Sequence, residues 1–341
     1  MITNFHTHTT RCRHAWGSDE DYVKEAIQNG YKILGFADHA CWPYVGKTVH
    51  ENNYPKEIKT AADFQKYVQW TYQKRESRMR MSPSDFPDYV RSVKHLREKY
   101  RHWIEIRLGL EAEYDPAYMD WMLDLCVRYD VDYLILGHHY VMGEENGTYT
   151  GLLDKEGLKE YVRTAIEGLE TGMYACFAHP ELFMRSALLS YDEDIEQAFR
   201  TLAQASARLN IPVEYNCSGM ICNQASGKER YPHHRFWEIA KEEGCRAVIG
   251  MDCHMPEYLE RKYYEQAREY LESLNIEIVE DIGKTDFKAI QAMKEQTEKQ
   301  TDSVSEQRPA KDHRFLTRRD RQAKNTKDSK SFKRRKKSIG H

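Results

Sequence analysis

Fifteen histidines stand in the 341 residues, and where they fall matters more than how many there are. They gather with acids behind short apolar runs: His6-Thr7-His8, Asp38-His39, Gly109-Leu110-Glu111, Gly137-His138-His139, Ala178-His179-Pro180 and Gly250-Met251-Asp252-Cys253-His254. Imidazole with carboxylate is a donor set for divalent ions such as Zn²⁺, Mn²⁺ or Fe²⁺. One His-x-His pair means little in so His-rich a chain. A whole set of such run ends means more, provided the fold brings them together. Too few basic residues stand among them to pair the acids, which points to bound metal.

The runs that precede these residues cover 2–6, 33–38, 104–110, 133–137, 175–178, 213–216 and 247–250. Each is short, apolar and flanked by polar residues or glycine, as in strands buried on both faces of a parallel sheet. Helical patterns lie between them. Ser18 with Asp21 reads as a capping box opening a helix to Asn29, with Gly30 as its stop. Pro83 after Ser82 opens a second helix, with Val90, Val93, Leu96 and Tyr100 on one stripe. Further stripes run through Tyr118, Met122, Leu125 and Tyr129, and from Leu158 through Tyr161 and Ala165 to Leu169. Others run through Ile195, Phe199 and Leu202, through Phe236, Ile239 and Ala240, and from Leu259 to Leu271.

Strand alternating with helix implies right-handed βαβ units and a parallel sheet. Seven repeats predict a distorted seven-stranded (β/α) barrel of TIM type, with an open doubly wound sheet as the alternative. No GxGxxG follows the first run and no Walker A sequence occurs, which weakens nucleotide-binding versions of the open sheet. In a parallel barrel all strand C-termini face one rim, so residues scattered from His6 to His254 converge there.

The formal net charge is −3, which gives no basic field over the whole chain. Residues 301–341 carry 14 Lys/Arg against 5 Asp/Glu, a net of +9, and the first 300 residues carry −12. The pattern ends near Gln296, so residues 1–296 are expected to form the domain and 297–341 a basic disordered tail. A helical insertion, about 41–103, separates the second and third runs and is either a lid or a structural element. No apolar run reaches the ~20 residues of a membrane span. No secretory leader is recognisable and the eight cysteines form no framework, so a reducing cytoplasmic setting is expected. His50, His95, His102, His233, His234 and His313 read as surface residues.

The motifs HTHT, GFADH, GLEAEY, LGHHYV, AHPE, VEYNCSG and GMDCH resemble those of the PHP (polymerase and histidinol phosphatase) superfamily of metal-dependent phosphoesterases. The resemblance runs from Thr3 to about Leu259. It implies the same distorted seven-stranded barrel and two or three divalent ions (Zn, Mn or Fe). Carried over motif by motif, it implies His6, His8, Glu111 and Asp252 at a first metal. Glu111 would bridge to a second held by His139 and His179, and His14, His39 and His254 would hold a third. His139 fits the family position better than His138. Glu111 fits better than Glu113, which remains a candidate to brace a ligand.

Within the superfamily the segments RCRHAWGSDEDY, HPELFMR and EYNCSGM look most like the branch that hydrolyses histidinol phosphate. The implied function is phosphomonoester hydrolysis through a hydroxide shared by two ions, with Asp252 and Glu111 anchoring the reacting pair. Arg185 is the leading phosphate-binding arginine, ahead of Arg11 and Arg13, and Glu113 or Glu181 is placed to receive a substrate amine. The expected partner is a small phosphate ester, with neither membrane nor nucleic acid. Alternatives are another PHP phosphoesterase (phosphotyrosine phosphatase, nucleotide phosphatase or exonuclease), a metal-holding module without activity, or a nucleic-acid binder acting through the basic tail.

Overall fold

The computed structural model describes residues 1–43, 80–143 and 147–306, from 299 onward as backbone only. Its strands are β1 (Thr3–Asn4), β2 (Ile33–His39), β3 (Glu105–Ala112), β4 (Tyr133–Gly137), β5 (Tyr140–Val141), β6 (Thr148–Tyr149), β7 (Tyr174–Ala178), β8 (Val213–Asn216) and β9 (Ala247–Gly250). Its α-helices are α1 (Asp19–Gln28), α2 (Phe86–Tyr100), α3 (Met119–Tyr129), α4 (Lys155–Glu170), α5 (Glu193–Leu209), α6 (Cys217–Ser226), α7 (His234–Glu242), α8 (Arg261–Ser273) and α9 (Phe287–Glu306).

Seven strands form one sheet in the order β1-β2-β3-β4-β7-β8-β9, every adjacent pair parallel. Beyond its outer strands the sheet curls back on itself. The Cys253 amide donates to the His6 carbonyl (3.1 Å), and the His8 amide donates to the Cys253 carbonyl (3.0 Å). The result is a nearly closed α/β barrel, as the repeat count predicts. β5 and β6 make a small separate antiparallel hairpin.

Side chains alternate across each strand and sort into two cores. Ile33 and Ala37 point inward with Phe5, Tyr133, Ile135, Cys176, Ala178 and Val248. Leu34, Phe36, Leu108, Leu110, Leu134 and Leu136 point outward and pack under the helices. Each fully buried Leu or Phe contributes on the order of 2 kcal/mol. Tyr133 plugs the barrel, its hydroxyl donating to the carbonyls of Phe5 (2.9 Å) and Phe36 (3.2 Å). Gly109 makes room for that ring, since a Cβ there would lie 2.3 Å from Tyr133 Cζ.

The capping box at Ser18 and Asp21 is present, and Gly30 follows α1 at φ +80°. α2 begins at Phe86, with Pro87 in its first turn, rather than at Pro83. The chain first makes a turn, the Asp85 amide donating to the Ser82 carbonyl (2.9 Å). α6 had no clear apolar stripe to reveal it. It starts directly from β8 because Asn216 caps it, accepting from the Gly219 amide at 2.8 Å.

The chain divides into two units, Met1–Ala292 and Met293–His341. Helix continues to Glu306, so the expected boundary at 296 falls within α9. Glu, Lys and Gln sustain helix there by propensity and by i,i+4 pairs such as Lys294–Glu298, without an apolar stripe. Residues 44–79 of the expected insertion and 307–341 of the expected tail lie outside the described residues. Among the described residues no helix is long and apolar enough to cross a membrane.

Candidate metal centre

The register of the sheet sets the centre. β2 and β3 pair with His39 opposite Glu111, and β8 and β9 pair with Asn216 opposite Gly250. The barrel strands carry their chemical residues at or just beyond their C-terminal ends, Glu111 next to last in β3 and His39 last in β2. His179 (φ +32°) and Asp252 (φ +46°) take left-handed backbone conformations that non-glycine residues rarely adopt. Such strain concentrates at functional sites.

Glu111 lies at the middle, 1 % exposed. Its two oxygens face different neighbours. Oε1 is 2.8 Å from His179 Nε2 and 3.5 Å from His139 Nε2. Oε2 is 2.8 Å from His39 Nδ1, 3.4 Å from His6 Nε2 and 3.6 Å from His8 Nε2. Asp252 Oδ1 stands 3.1 Å from His8 Nε2 and 3.6 Å from His6 Nε2. His14 Nε2 lies 2.9 Å from His254 Nε2 and 3.3 Å from His39 Nε2. All nine residues singled out from the sequence for metal therefore meet in one buried cluster.

Most of these rings are braced on their far side. His6 Nδ1 is 2.6 Å from Glu214 Oε1, and His139 Nδ1 is 3.1 Å from Glu113 Oε1. His14 Nδ1 bonds the Cys12 carbonyl (2.9 Å), and His254 Nδ1 bonds the Asp252 carbonyl (3.1 Å). A nitrogen that donates to a carbonyl carries the ring's proton. For His14 and His254 the lone pair is then on Nε2, and these two lone pairs face each other. Three imidazole nitrogens at this spacing, with buried His6 Nε2 and Glu111 Oε2 making no hydrogen bond, fit cation ligation. Three groupings that place metal donors within 4.8 Å of one another are His8-His39-His254, His6-Glu111-His179 and His6-His8-Asp252.

The electrostatics agree. Burial pushes the Glu111 carboxyl up, but the imidazoles of His139, His6 and His39 outweigh it and hold it well below the usual range. Burial, with His254 and His8 beside it, keeps the His14 imidazole far below its ordinary value and so available as a neutral donor.

Other residues fall differently from the sequence reading. His138 turns outward, Nε2 2.9 Å from Thr164 Oγ1 of α4, which leaves the site to His139. Arg11 is tied to Asp19 (2.9 Å) and Asp88 (2.8 Å), joining α1 to α2, so it is a strut rather than a phosphate arm. Arg185 closes the short 3₁₀ turn after His179 and is half-buried. Glu113 is engaged by Arg80, Trp42 and His139, and Glu181 by Trp237 Nε1 (3.1 Å) and the His233 amide (3.3 Å). His233 is buried and not at the surface, because it caps α7 and stacks on Tyr191 at 5.3 Å. His95, His102 and His234 are exposed as expected, while His50 and His313 lie outside the described residues.

Three bracing groups were missed. Glu214 holds His6 and accepts from the His179 amide (3.1 Å) and from Asn216 Nδ2 (2.9 Å). Asn216 also donates to Asp252 (3.1 Å). Asn4 Oδ1 accepts from the His6 amide (3.1 Å) and from the Met251 amide (2.9 Å). A signal existed: an acid or amide inside an apolar strand must find a buried partner.

Two glycines keep the centre open. A Cβ at Gly137 would lie 2.2 Å from Glu111 Oε1, and one at Gly250 would lie 1.7 Å from Glu214 Oε1. Gly137→Ala is therefore expected to push Glu111 off its position and to lower kcat by about 10²-fold, since ~1 Å of misplacement costs that much. Steady-state kinetics beside a circular-dichroism melt check this; wild-type turnover in a folded variant refutes it.

A seven-stranded parallel barrel with a His-rich, carboxylate-centred cluster at its C-terminal rim defines an α/β-barrel protein with a candidate metal centre. More particularly, the PHP domain matches residues 4–218, and the chain belongs to that family. Curated relatives include the probable histidinol-phosphatases of Deinococcus radiodurans (23 % identical, 75 % of this chain and 87 % of that protein) and Schizosaccharomyces pombe (23 %, 81 % and 88 %). Among solved structures, histidinol phosphate phosphatase from Lactococcus lactis, complexed with zinc, L-histidinol and phosphate, aligns with a TM-score of 0.58 at 15 % identity. It covers 82 % of this chain and 95 % of that one. The putative histidinol phosphatase of Listeria monocytogenes aligns at 0.57 and 19 % identity, over 77 % and 99 %. These likenesses establish the fold.

Proposed function

We propose that the protein is a metal-dependent phosphomonoesterase that hydrolyses histidinol phosphate to histidinol and phosphate. The observation that carries the hydrolase reading is Glu111, which presents one oxygen to each half of a cluster of seven imidazoles and Asp252. The substrate rests on the relatives, which are named histidinol-phosphatases, and on the ligands held by the Lactococcus lactis protein.

His6, His8, Glu111 and Asp252 would hold a first ion, Glu111, His139 and His179 a second, and His14, His39 and His254 a third. Zn²⁺, Mn²⁺ and Fe²⁺ all suit such donors. Bound divalent ions supply Lewis acidity, lowering the pKa of water and offsetting phosphoryl charge. The chain's own part is geometric and electrostatic. Glu214, Glu113 and the carbonyls of Cys12 and Asp252 fix the imidazole orientations. Asn216 fixes Asp252. Arg185, on the 3₁₀ turn after His179, would hold a phosphoryl oxygen. Both oxygens of Glu113 are engaged, by Arg80, His139 and Trp42, whereas Glu181 Oε2 makes no hydrogen bond and would be the acceptor for the substrate amine.

The test compares kcat/KM for histidinol phosphate with p-nitrophenyl phosphate, phosphotyrosine and nucleoside monophosphates on metal-loaded protein. A preference of about tenfold or more is expected, as for a site with polar groups matched to one substrate. Equal rates would leave a general phosphomonoesterase. No phosphate release from any ester would end the reading.

A further inference from the structure

Two arginines stand near the cluster, Arg185 and Arg80. Arg185 stands near Tyr231 and Cys222, whose ionisation it favours. Tyr231 in turn sits edge-on to His179, ring centroids 6.3 Å apart. Asp252 is also close enough to disfavour ionisation of Tyr231.

Arg80 is buried, 5 % exposed. Its Nη2 donates to Glu113 Oε1 at 2.5 Å, and the same oxygen is 3.1 Å from His139 Nδ1. Trp42 Nε1 donates to the second Glu113 oxygen at 3.0 Å. The guanidinium also lies over the Tyr140 ring, 5.7 Å from its centroid. Trp42 comes three residues after His39, and Tyr140 directly follows His139. The guanidinium is thus pinned where β2 and β4 end, against the rim that carries those two histidines. After burial, its charge is among the influences that keep the imidazoles of His14, His39 and His139 unprotonated.

Placing a guanidinium there is costly in desolvation. Bracing His139 needs only Glu113, which a neutral donor such as Trp42 already orients. A planar, permanently charged fork beside a cluster of neutral donors suits an incoming oxyanion better than it suits support alone.

We infer that Arg80 is a phosphate-binding residue that acts with Arg185 on a phosphoryl group seated over the donor cluster, held in place by Glu113 and Tyr140. This rests on the phosphomonoesterase reading and adds to it a residue that no motif signals.

The experiment measures inhibition by inorganic phosphate, with p-nitrophenyl phosphate as substrate, on metal-loaded full-length protein. Arg80→Met, Arg80→Lys and Glu113→Gln are compared with wild type, and the metal content of each is determined. Arg80→Met should raise the phosphate inhibition constant and KM by about tenfold or more, the loss of one charged hydrogen bond, with metal content unchanged. Arg80→Lys, which keeps the charge without the planar fork, should fall between. Glu113→Gln should instead lower metal content. An unchanged phosphate constant in Arg80→Met, or a loss of metal matching that of Glu113→Gln, would make Arg80 a support for His139 and overturn the inference. If Arg80→Met does not fold, Arg80→Lys decides: wild-type phosphate affinity overturns it. Should wild type release no phosphate from any ester, the functional reading fails instead, and phosphate binding by calorimetry still tests Arg80.

Discussion

Glu111→Gln is expected to lower kcat by about three orders of magnitude or more, the largest effect of any single substitution here. The side chain keeps its size, so the barrel should fold and melt nearly as wild type. What changes is charge and donor character. One amide oxygen replaces two equivalent carboxylate oxygens, so only one half of the cluster retains an acceptor. The amide nitrogen would face either His179 or His39, each 2.8 Å from the native carboxylate. Bracing groups behind metal ligands typically matter by 10–100-fold, and a residue facing both halves should exceed that. The measurement is kcat together with metal stoichiometry. A drop below about tenfold, with metal retained, would mean that Glu111 does not link two ion sites.

Glu111 was legible as the acid just behind the apolar run expected over 104–110, observed as Glu105–Ala112, and its choice over Glu113 came from the family resemblance. The ranges expected for β4, β8 and β9 match the observed strands, since each is a short apolar run with a sharp polar or glycine boundary. Once the strands were placed, barrel topology brought their ends together without further information. Glu214 and Asn216 were equally visible as polar residues inside a strand, but only packing reveals that they face inward onto His6 and Asp252. Arg80 lay beyond sequence reasoning: its value comes from the neighbours Glu113 and Tyr140, both distant in the chain. His233 shows the opposite error. A histidine in a loop resembles a surface residue until a helix start gives its ring a backbone amide to accept from and an aromatic to stack on.

Chelation should abolish activity and also lower the melting temperature, and the second effect discriminates more sharply than the first. Nine donors crowd into one buried site, several with lone pairs facing one another at 2.9 and 3.3 Å. Without a cation these contacts are repulsive or must take up protons. Some rings can do so: burial works against protonating His6, but Glu214, Glu111 and Asp252 more than reverse it. Others resist, since burial and His8 hold the His254 imidazole down at about 4. The centre is thus only partly able to neutralise itself, and ions bound to the native state should stabilise it by mass action. At a free metal concentration of about 100 times Kd one ion contributes roughly 2.7 kcal/mol. For a domain of this size that corresponds to a shift on the order of 4 °C. Zn²⁺, Mn²⁺ or Fe²⁺ should restore both stability and turnover. Mg²⁺ should restore neither, because a hard ion prefers oxygen donors to a set dominated by imidazole. Full activity in metal-free protein, or a melting temperature unmoved by chelation, would show that these side chains meet for some purpose other than holding metal.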